Sequence, residues 1–352
     1  MQGIKESSRH EFKLIDLVKF VCAIFVVGIH TLGFQTSDND LCVKVCNNLF
    51  GLAVPFFFVS SGFLIAQKIL VKKYGGSFDL KTVRGGATNS IKKLSILYCL
   101  WSLIYLPLAI YDYYQSDFSF VKSLVIYIRD FFVLGEHYNS WPLWYVLASI
   151  YALIIMRLLS KFVAKYLTLT CVLLILFGFA YSFLLNYLLS LDGTSIQFIL
   201  SKTLRNDRFA AGFIYIPIGF LIWKYRQYLN KAFSNYSWLL LFVLCFVLNF
   251  VVENKIAGNI LGKCVVVALF LFVITSEKNV ADLKSVIFRR LRFLSTGGYF
   301  IHMWVWTIYY TLVYQEKTSG VDSFVITTVI AIILSLLYLI VRNWLKKLEK
   351  VA

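Results

Sequence analysis

Charge is scarce in this chain, and acid is the scarcer sign. Of 352 residues, 18 are Asp or Glu and 35 are Lys or Arg, and charged residues make up only 15% of the whole. A soluble globular domain carries about 25%, so the deficit argues against one. None of the seven cysteines forms a CxxC pair or stands at ligand spacing from a histidine. That removes the usual zinc and dithiol frameworks. Most of the cysteines read as apolar filler, and Cys42 and Cys46 are a short-spaced pair that a disulfide could join in an outward loop. No small-residue cleavage site follows the first apolar run, which is therefore expected to be a retained helix rather than a signal peptide. No internal repeat is visible, so the inverted-repeat signature of secondary transporters is missing. No nucleophile-elbow serine motif is present either, and neither a linker nor a second, soluble domain shows in the pattern.

What the chain has instead is apolar length. Hydrophobic residues make up 59% and aromatics 18%, and mean hydropathy is +0.74. The apolar runs are about 20 residues long, the length that spans a bilayer as helix rather than as strand. The expected fold is all-α: a polytopic membrane helical bundle forming a single domain over 1–352. Ten transmembrane helices are expected, at 13–34, 46–70, 91–111, 141–160, 167–191, 208–225, 236–252, 258–276, 293–314 and 323–345. The apolar stretch from Phe118 to Leu134 is interrupted by Lys122, Arg129 and Asp130, and is expected to lie in the interface or re-enter without crossing. Basic residues concentrate in alternate loops, such as Lys68 to Lys93, Arg157 to Lys165 and Lys278 to Arg292. The positive-inside rule then puts both termini in the cytoplasm. The net charge of +17 is explained by this topology, so no nucleic-acid partner is expected. The expected location is a bacterial plasma membrane, as a multi-pass protein surrounded by lipid.

The first apolar segment contains two groups that a bilayer does not tolerate idly. Lys19 and His30 are separated by ten residues, a helical rise of roughly 16 Å. An ionisable side chain at that depth is costly, and marks a functional site by default. Asp16 lies one turn from Lys19 and is expected to pair with it.

Several motifs follow in order. Ile15-Asp16-Leu17-Val18-Lys19 precedes His30. Val54-Pro55-Phe56-Phe57-Phe58-Val59-Ser60-Ser61-Gly62-Phe63-Leu64 forms an aromatic-rich second helix. Ile91-Lys92-Lys93-Leu94 runs into Tyr98 and Trp101. Trp141-Pro142-Leu143-Trp144-Tyr145 opens the fourth helix, and Gly298-Tyr299-Phe300-Ile301-His302 falls in the ninth. With ten expected helices, this series resembles the acyltransferase family 3 membrane proteins, which acylate cell-surface polysaccharides. The chain departs from the family pattern at Lys19, where arginine is usual, and at Lys92 and Lys93, where many members carry two spaced arginines.

The resemblance implies a membrane O-acyltransferase, with acetyl-CoA as the donor at the cytoplasmic face and a hydroxyl of a glycan or lipid-linked glycan as acceptor. His30 would be the catalytic residue, either as general base or as covalent acyl carrier. Lys19, Lys92 and Lys93 would hold the phosphates of the acyl-CoA, with Ser61 lining the acyl passage near the thioester. Tyr299 and His302 would line the same cavity as His30. Trp141 and Arg208, clustered with Trp144 and Glu136 at the outer side, would contact the sugar. No metal is expected, and a homodimer is compatible with the pattern. The rival reading is an exporter of a polysaccharide or lipid-linked sugar, and a third is an unrelated membrane-bound O-acyltransferase fold. The topology has a direct check. A cysteine placed at Ser77, once reactive background cysteines are removed, should resist impermeant thiol reagents in intact cells. Ready labelling there would invert the orientation.

Overall fold

The computed structural model describes residues 11–31, 40–70, 78–116, 118–137, 139–190, 208–252, 254–315 and 320–348. Among these no β-strand occurs. The helices are α1 (Lys13–Thr31), α2 (Asp40–Gly51), α3 (Ala53–Ile69), α4 (Leu80–Gln115), α5 (Phe120–Arg129), α6 (Leu143–Leu158), α7 (Ser160–Leu189), α8 (Arg208–Ala232), α9 (Asn235–Val251), α10 (Lys255–Thr275), α11 (Ser285–Tyr309) and α12 (Val321–Leu348). Ser77 lies outside the described residues.

Each of the ten expected spans overlaps a helix, with different boundaries, and fewer than ten of these helices are long and apolar enough to cross by length and composition alone. Among the described residues six helical segments are by themselves long and apolar enough to cross a membrane, and a seventh arises if α8 and α9, bent by 110°, count as one span. α6 is apolar but only 16 residues long, and the first turns of α11 carry Arg289, Arg290 and Arg292. α4 runs 36 residues, well past the apolar run that signals it, because Asp79 caps its polar first turn by accepting from Thr82 N at 2.9 Å. α5, at 10 residues, is too short to span, in keeping with an interfacial segment. It continues into a π-turn, Asp130–Leu134, that ends on Gly135 at φ 73°. There a Cβ would approach the Trp144 Cα at 2.8 Å, so the close pass of this turn over α6 requires glycine.

α3 is the hub. It is apolar around its whole circumference, as a helix must be when neighbours surround it. Ala53, Phe56, Phe58, Val59, Phe63 and Ala66 are all fully buried. α3 packs against α1, α4, α6, α8 and α10. Its tightest crossing is with α8: a Cβ on Gly62 would collide with the Ile216 carbonyl, and one on Gly219 with the Val59 carbonyl. Reciprocal glycines let the two backbones touch, the usual basis of close packing where lipid gives no hydrophobic drive. α12 shows the opposite behaviour, with long runs of exposed Val, Ile and Leu, as a lipid-facing helix would.

Polar contacts fix α1 against α11. Arg292 donates to Asp16 from Nε at 2.8 Å and from Nη2 at 2.6 Å. Asp16 therefore pairs across 276 residues and not with Lys19, because a planar guanidinium meets both carboxylate oxygens at once where an ammonium meets one. Ser295 donates to the Lys19 carbonyl at 2.9 Å. The first turn of α1 is capped from the 277–283 turn: Glu277 accepts from Lys13 N at 2.5 Å and Leu14 N at 3.0 Å. The Lys13 ammonium in turn donates to the carbonyls of Val280, Ala281 and Leu283. Asp16 meets Arg292 and, further along both helices, His30 meets His302, so α1 and α11 run parallel. No disulfide joins any of the seven cysteines, and Cys42 and Cys46 stand one turn apart on α2.

The α3–α8 crossing yields a stability test. Gly62→Val or Gly219→Val should destabilise by about 1–3 kcal/mol through overpacking. Gly85→Ala, where an added Cβ meets nothing within 4 Å, should be neutral or slightly stabilising. Thermal unfolding of the detergent-solubilised variants measures the difference.

Candidate active site

The parallel pairing of α1 and α11 carries His30 to His302. The rings stack with centroids 5.3 Å apart and an interplanar angle of 24°. His30 also lies 5.3 Å from the Trp141 ring, and Trp141 lies 6.1 Å from Trp306. Four rings, from α1, α11 and the turn before α6, thus form one cluster.

Trp141 is held there by its own loop. Ser140 Oγ accepts from His137 N at 2.6 Å, and Leu143 N donates to the Ser140 carbonyl at 3.0 Å. Asn139, at φ 54°, takes a left-handed conformation that asparagine tolerates better than most residues. Its side chain donates to Thr307 Oγ1 at 3.0 Å. Tyr299 OH donates to the Pro142 carbonyl at 2.9 Å. These last two bonds bind the loop to α11.

The two histidines differ in their bonding. His302 is fully buried, and its Nδ1 lies 3.1 Å from the Gly298 carbonyl. A carbonyl only accepts, so Nδ1 bears the hydrogen and Nε2 keeps a lone pair. That Nε2 is buried with no hydrogen-bond partner among the described residues. The His30 ring is partly exposed, and none of its contacts among the described residues is a hydrogen bond. An acceptor nitrogen and an uncommitted imidazole side by side can take a proton from a bound hydroxyl.

Toward the end of the bundle that carries Lys13, a ladder of side chains continues from His302. Tyr299 lies 6.4 Å from His302 and 6.0 Å from Tyr145. Tyr145 OH and Ser61 Oγ share a hydrogen bond at 2.7 Å. Phe57 lies 5.4 Å from Tyr299, and the Lys19 ammonium sits 5.7 Å over the Phe57 ring. Tyr145 was not singled out from the sequence. An aromatic residue at the start of an apolar helix reads as interface, and only its contact with Ser61 shows that it belongs to the site.

The other expected residues separate into groups. Lys93 lines a polar cavity of about 310 Å³ with Lys68, Thr82, Gly86, Asn89 and Ser90, where α3 ends beside α4. Lys92 is exposed, and neither it nor Lys19 lines that cavity. A larger cavity of about 770 Å³ opens at the Lys13 end, lined among others by Trp223, Arg226, Asn230 and Lys278. Arg208, at the start of α8, forms an ion pair with Glu136 and lies 5.3 Å over the Trp144 ring. Its charge is within electrostatic reach of His30 and Tyr299. Trp141 stays with His30 rather than with this pair. Among the described residues no three His, Cys, Asp or Glu side chains gather as metal ligands.

Outside the spans, His137 is buried and stacks on Tyr127 at 4.2 Å, with neither ring nitrogen partnered among the described residues. Burial disfavours the charged ring and lowers its pKa from 6.5 to about 4. The unfolded chain therefore binds the proton first. This group's contribution to stability should fall as pH drops from about 6.5 to about 4, and change no further below that. His137→Phe should lose less thermal stability than the parent protein between pH 7 and pH 4.5. Equal losses would mean that the ring is hydrated in the folded protein.

Comparison with known proteins places this geometry. No solved structure matches the chain. A curated protein described as an amino-acid racemase from Enterococcus faecalis is 29% identical over 174 residues, covering 48% of this chain and 23% of the relative. A serine/alanine racemase from Enterococcus gallinarum is 30% identical over 129 residues, covering 37% of this chain and 17% of the relative. The chain thus matches less than a quarter of the length of these relatives. The family model described as an acyltransferase domain matches residues 12–340, nearly the whole chain, including every element of the His30 cluster and its ladder. The protein therefore belongs to the acyltransferase 3 family, the multi-helical membrane acyltransferases.

Proposed function

We propose that this protein is an O-acyltransferase that moves an acyl group, in the simplest case acetyl, from acyl-CoA to a hydroxyl of a cell-surface or lipid-linked glycan, with ten membrane crossings and both termini in the cytoplasm. The observation that carries the reading is the His30–His302 stack: two imidazoles inside a membrane bundle, one with no hydrogen bond among the described residues and the other with an Nε2 that has no partner among them. His30 acts as the general base. It takes the proton of the acceptor hydroxyl as that oxygen attacks the thioester carbonyl. The C–S bond breaks, and His30 returns the proton to the departing thiolate.

The donor approaches from the basic end. Lys93 and Lys68 beside Asn89 and Ser90 offer point charges and polar donors suited to phosphate groups. Lys19, without an ion-pair partner among the described residues, stands where the ladder begins. Ser61 and Tyr145 supply hydroxyls beside the path from Lys19 to His30. Arg208, Trp141 and Tyr299 shape the acceptor side. A second reading takes an amino acid as the acceptor, and what favours it is the partial similarity to an amino-acid racemase and a serine/alanine racemase.

The test is a pair of substitutions. His30→Ala and His30→Gln should each lower acyl transfer by about 10²–10⁴-fold, the usual size of a general-base contribution. Affinity for acetyl-CoA should change little, because the imidazole acts on the hydroxyl proton and not on phosphate. A purely structural histidine gives the opposite pattern, in which Gln restores the buried hydrogen bond and activity while Ala mainly lowers stability. Transfer rate, acetyl-CoA affinity and thermal stability, measured for both variants, separate the two. A stable His30→Gln protein with parental turnover would overturn the catalytic assignment.

A further inference from the structure

We propose that His302 Nε2 and the indole N–H of Trp306 form one hydrogen-bond seat for a neutral hydroxyl that flanks the reacting one, so that the acceptor is recognised as a diol. The inference rests on the acyl-transfer reading above and deepens it by naming the acceptor chemistry. Both groups are on α11, four residues apart, and so share one helix face. His302 Nε2 is an acceptor because Nδ1 is committed to the Gly298 carbonyl. Trp306 Nε1 bears a hydrogen and can only donate. Both atoms are buried, and neither has a hydrogen-bond partner among the described residues. Buried polar atoms are normally satisfied, and each exception calls for a missing partner. The two side chains belong to one ring cluster, in which Trp306 packs on Trp141, Trp141 on His30 and His30 on His302.

The pair selects by hydrogen-bond polarity. A hydroxyl donates to Nε2 and accepts from the indole, which satisfies both. An ammonium only donates and leaves the indole N–H unmet. A carboxylate only accepts, and sets its lone pairs against that of Nε2. The free amino and carboxyl groups of an amino acid therefore fit the seat worse than an uncharged polyol. With His30 addressing the reacting hydroxyl, the seat takes its neighbour.

The test uses glycerol as the smallest vicinal polyol and ethanol as the acceptor without a flanking hydroxyl, on full-length protein purified free of glycerol. Acylation by acetyl-CoA gives the ratio of kcat/KM for glycerol over ethanol. Trp306→Phe, which keeps the ring and removes the N–H, should lower that ratio about tenfold, chiefly through KM for glycerol. Equal proportional losses for both alcohols would mean that Trp306 serves packing alone, and would overturn the seat. Binding is read without turnover from 19F spectra of protein labelled with 5-fluorotryptophan. The Trp306 resonance, assigned by its loss in Trp306→Phe, should move with glycerol, stay in place with ethanol or serine, and lose its response in His302→Phe. A shift without turnover keeps the seat and rejects the acyl-transfer reading. Turnover with no shift, or with the same shift from every additive as for a bound water only, rejects the seat and keeps that reading. Absence of both rejects both.

Discussion

The site depends on the ion pair between Asp16 and Arg292. It joins the first turn of α1 to the third turn of α11, which are far apart in sequence, and it does so with two hydrogen bonds that fix both rotation and register. Asp16 is almost fully buried while Arg292 keeps about half of its side chain exposed. The pair is therefore worth less than a fully buried one, about 3 kcal/mol or less if broken. Its larger effect is geometric. Parallel helices clamped in one register bring fixed partners together further along, and those partners are His30 and His302. A one-residue slip between α1 and α11 would rotate one histidine by about 100° and dissolve the stack.

Above the clamp the site is held by packing more than by hydrogen bonds. Rings of Phe57, Tyr145, Tyr299, His302, His30, Trp141 and Trp306 contact one another in series from the Lys19 level to the opposite end. Aromatic side chains give large contact area with few rotatable bonds, which suits a site that must stay rigid while its polar atoms remain available. The hydrogen bonds present are directed outward from the reacting position: Tyr299 to the Pro142 carbonyl, His302 Nδ1 to the Gly298 carbonyl, Asn139 to Thr307. His302 is thereby fixed through Nδ1, and its Nε2 has no partner among the described residues.

The same economy explains where the glycines stand. Gly62 follows Ser61 in α3 and touches α8, while Ser61 reaches Tyr145 on α6. Packing at the α3–α8 crossing and chemistry at the ladder are thus consecutive residues of one helix. The His137 loop contributes in the same way. Its buried ring and its bond through Ser140 set the turn that aims Trp141 at His30.

Much of this was legible in the chain itself. Apolar length set a helical membrane protein, since only a helix of about 20 residues satisfies its own backbone in lipid. The series from Asp16 to His302 indicated the family, and an intramembrane His30 stood out because a bilayer penalises it. The helix count was legible less well, because α6 is short and polar first turns lengthen α4 and α11 beyond their apolar runs. Partner choice could not be read locally. Asp16 has Lys19 one turn away yet pairs with Arg292, because fork geometry outweighs proximity along the helix. Tyr145 and Trp306 look like ordinary interfacial aromatics until a neighbour gives them a role. The sequence by itself determined which residues a membrane would resist burying, since that cost is a property of each side chain and its apolar surroundings. Only the tertiary structure decided which of them meet, because register, ring stacking and the satisfaction of each buried nitrogen are set between helices that the chain connects over hundreds of residues.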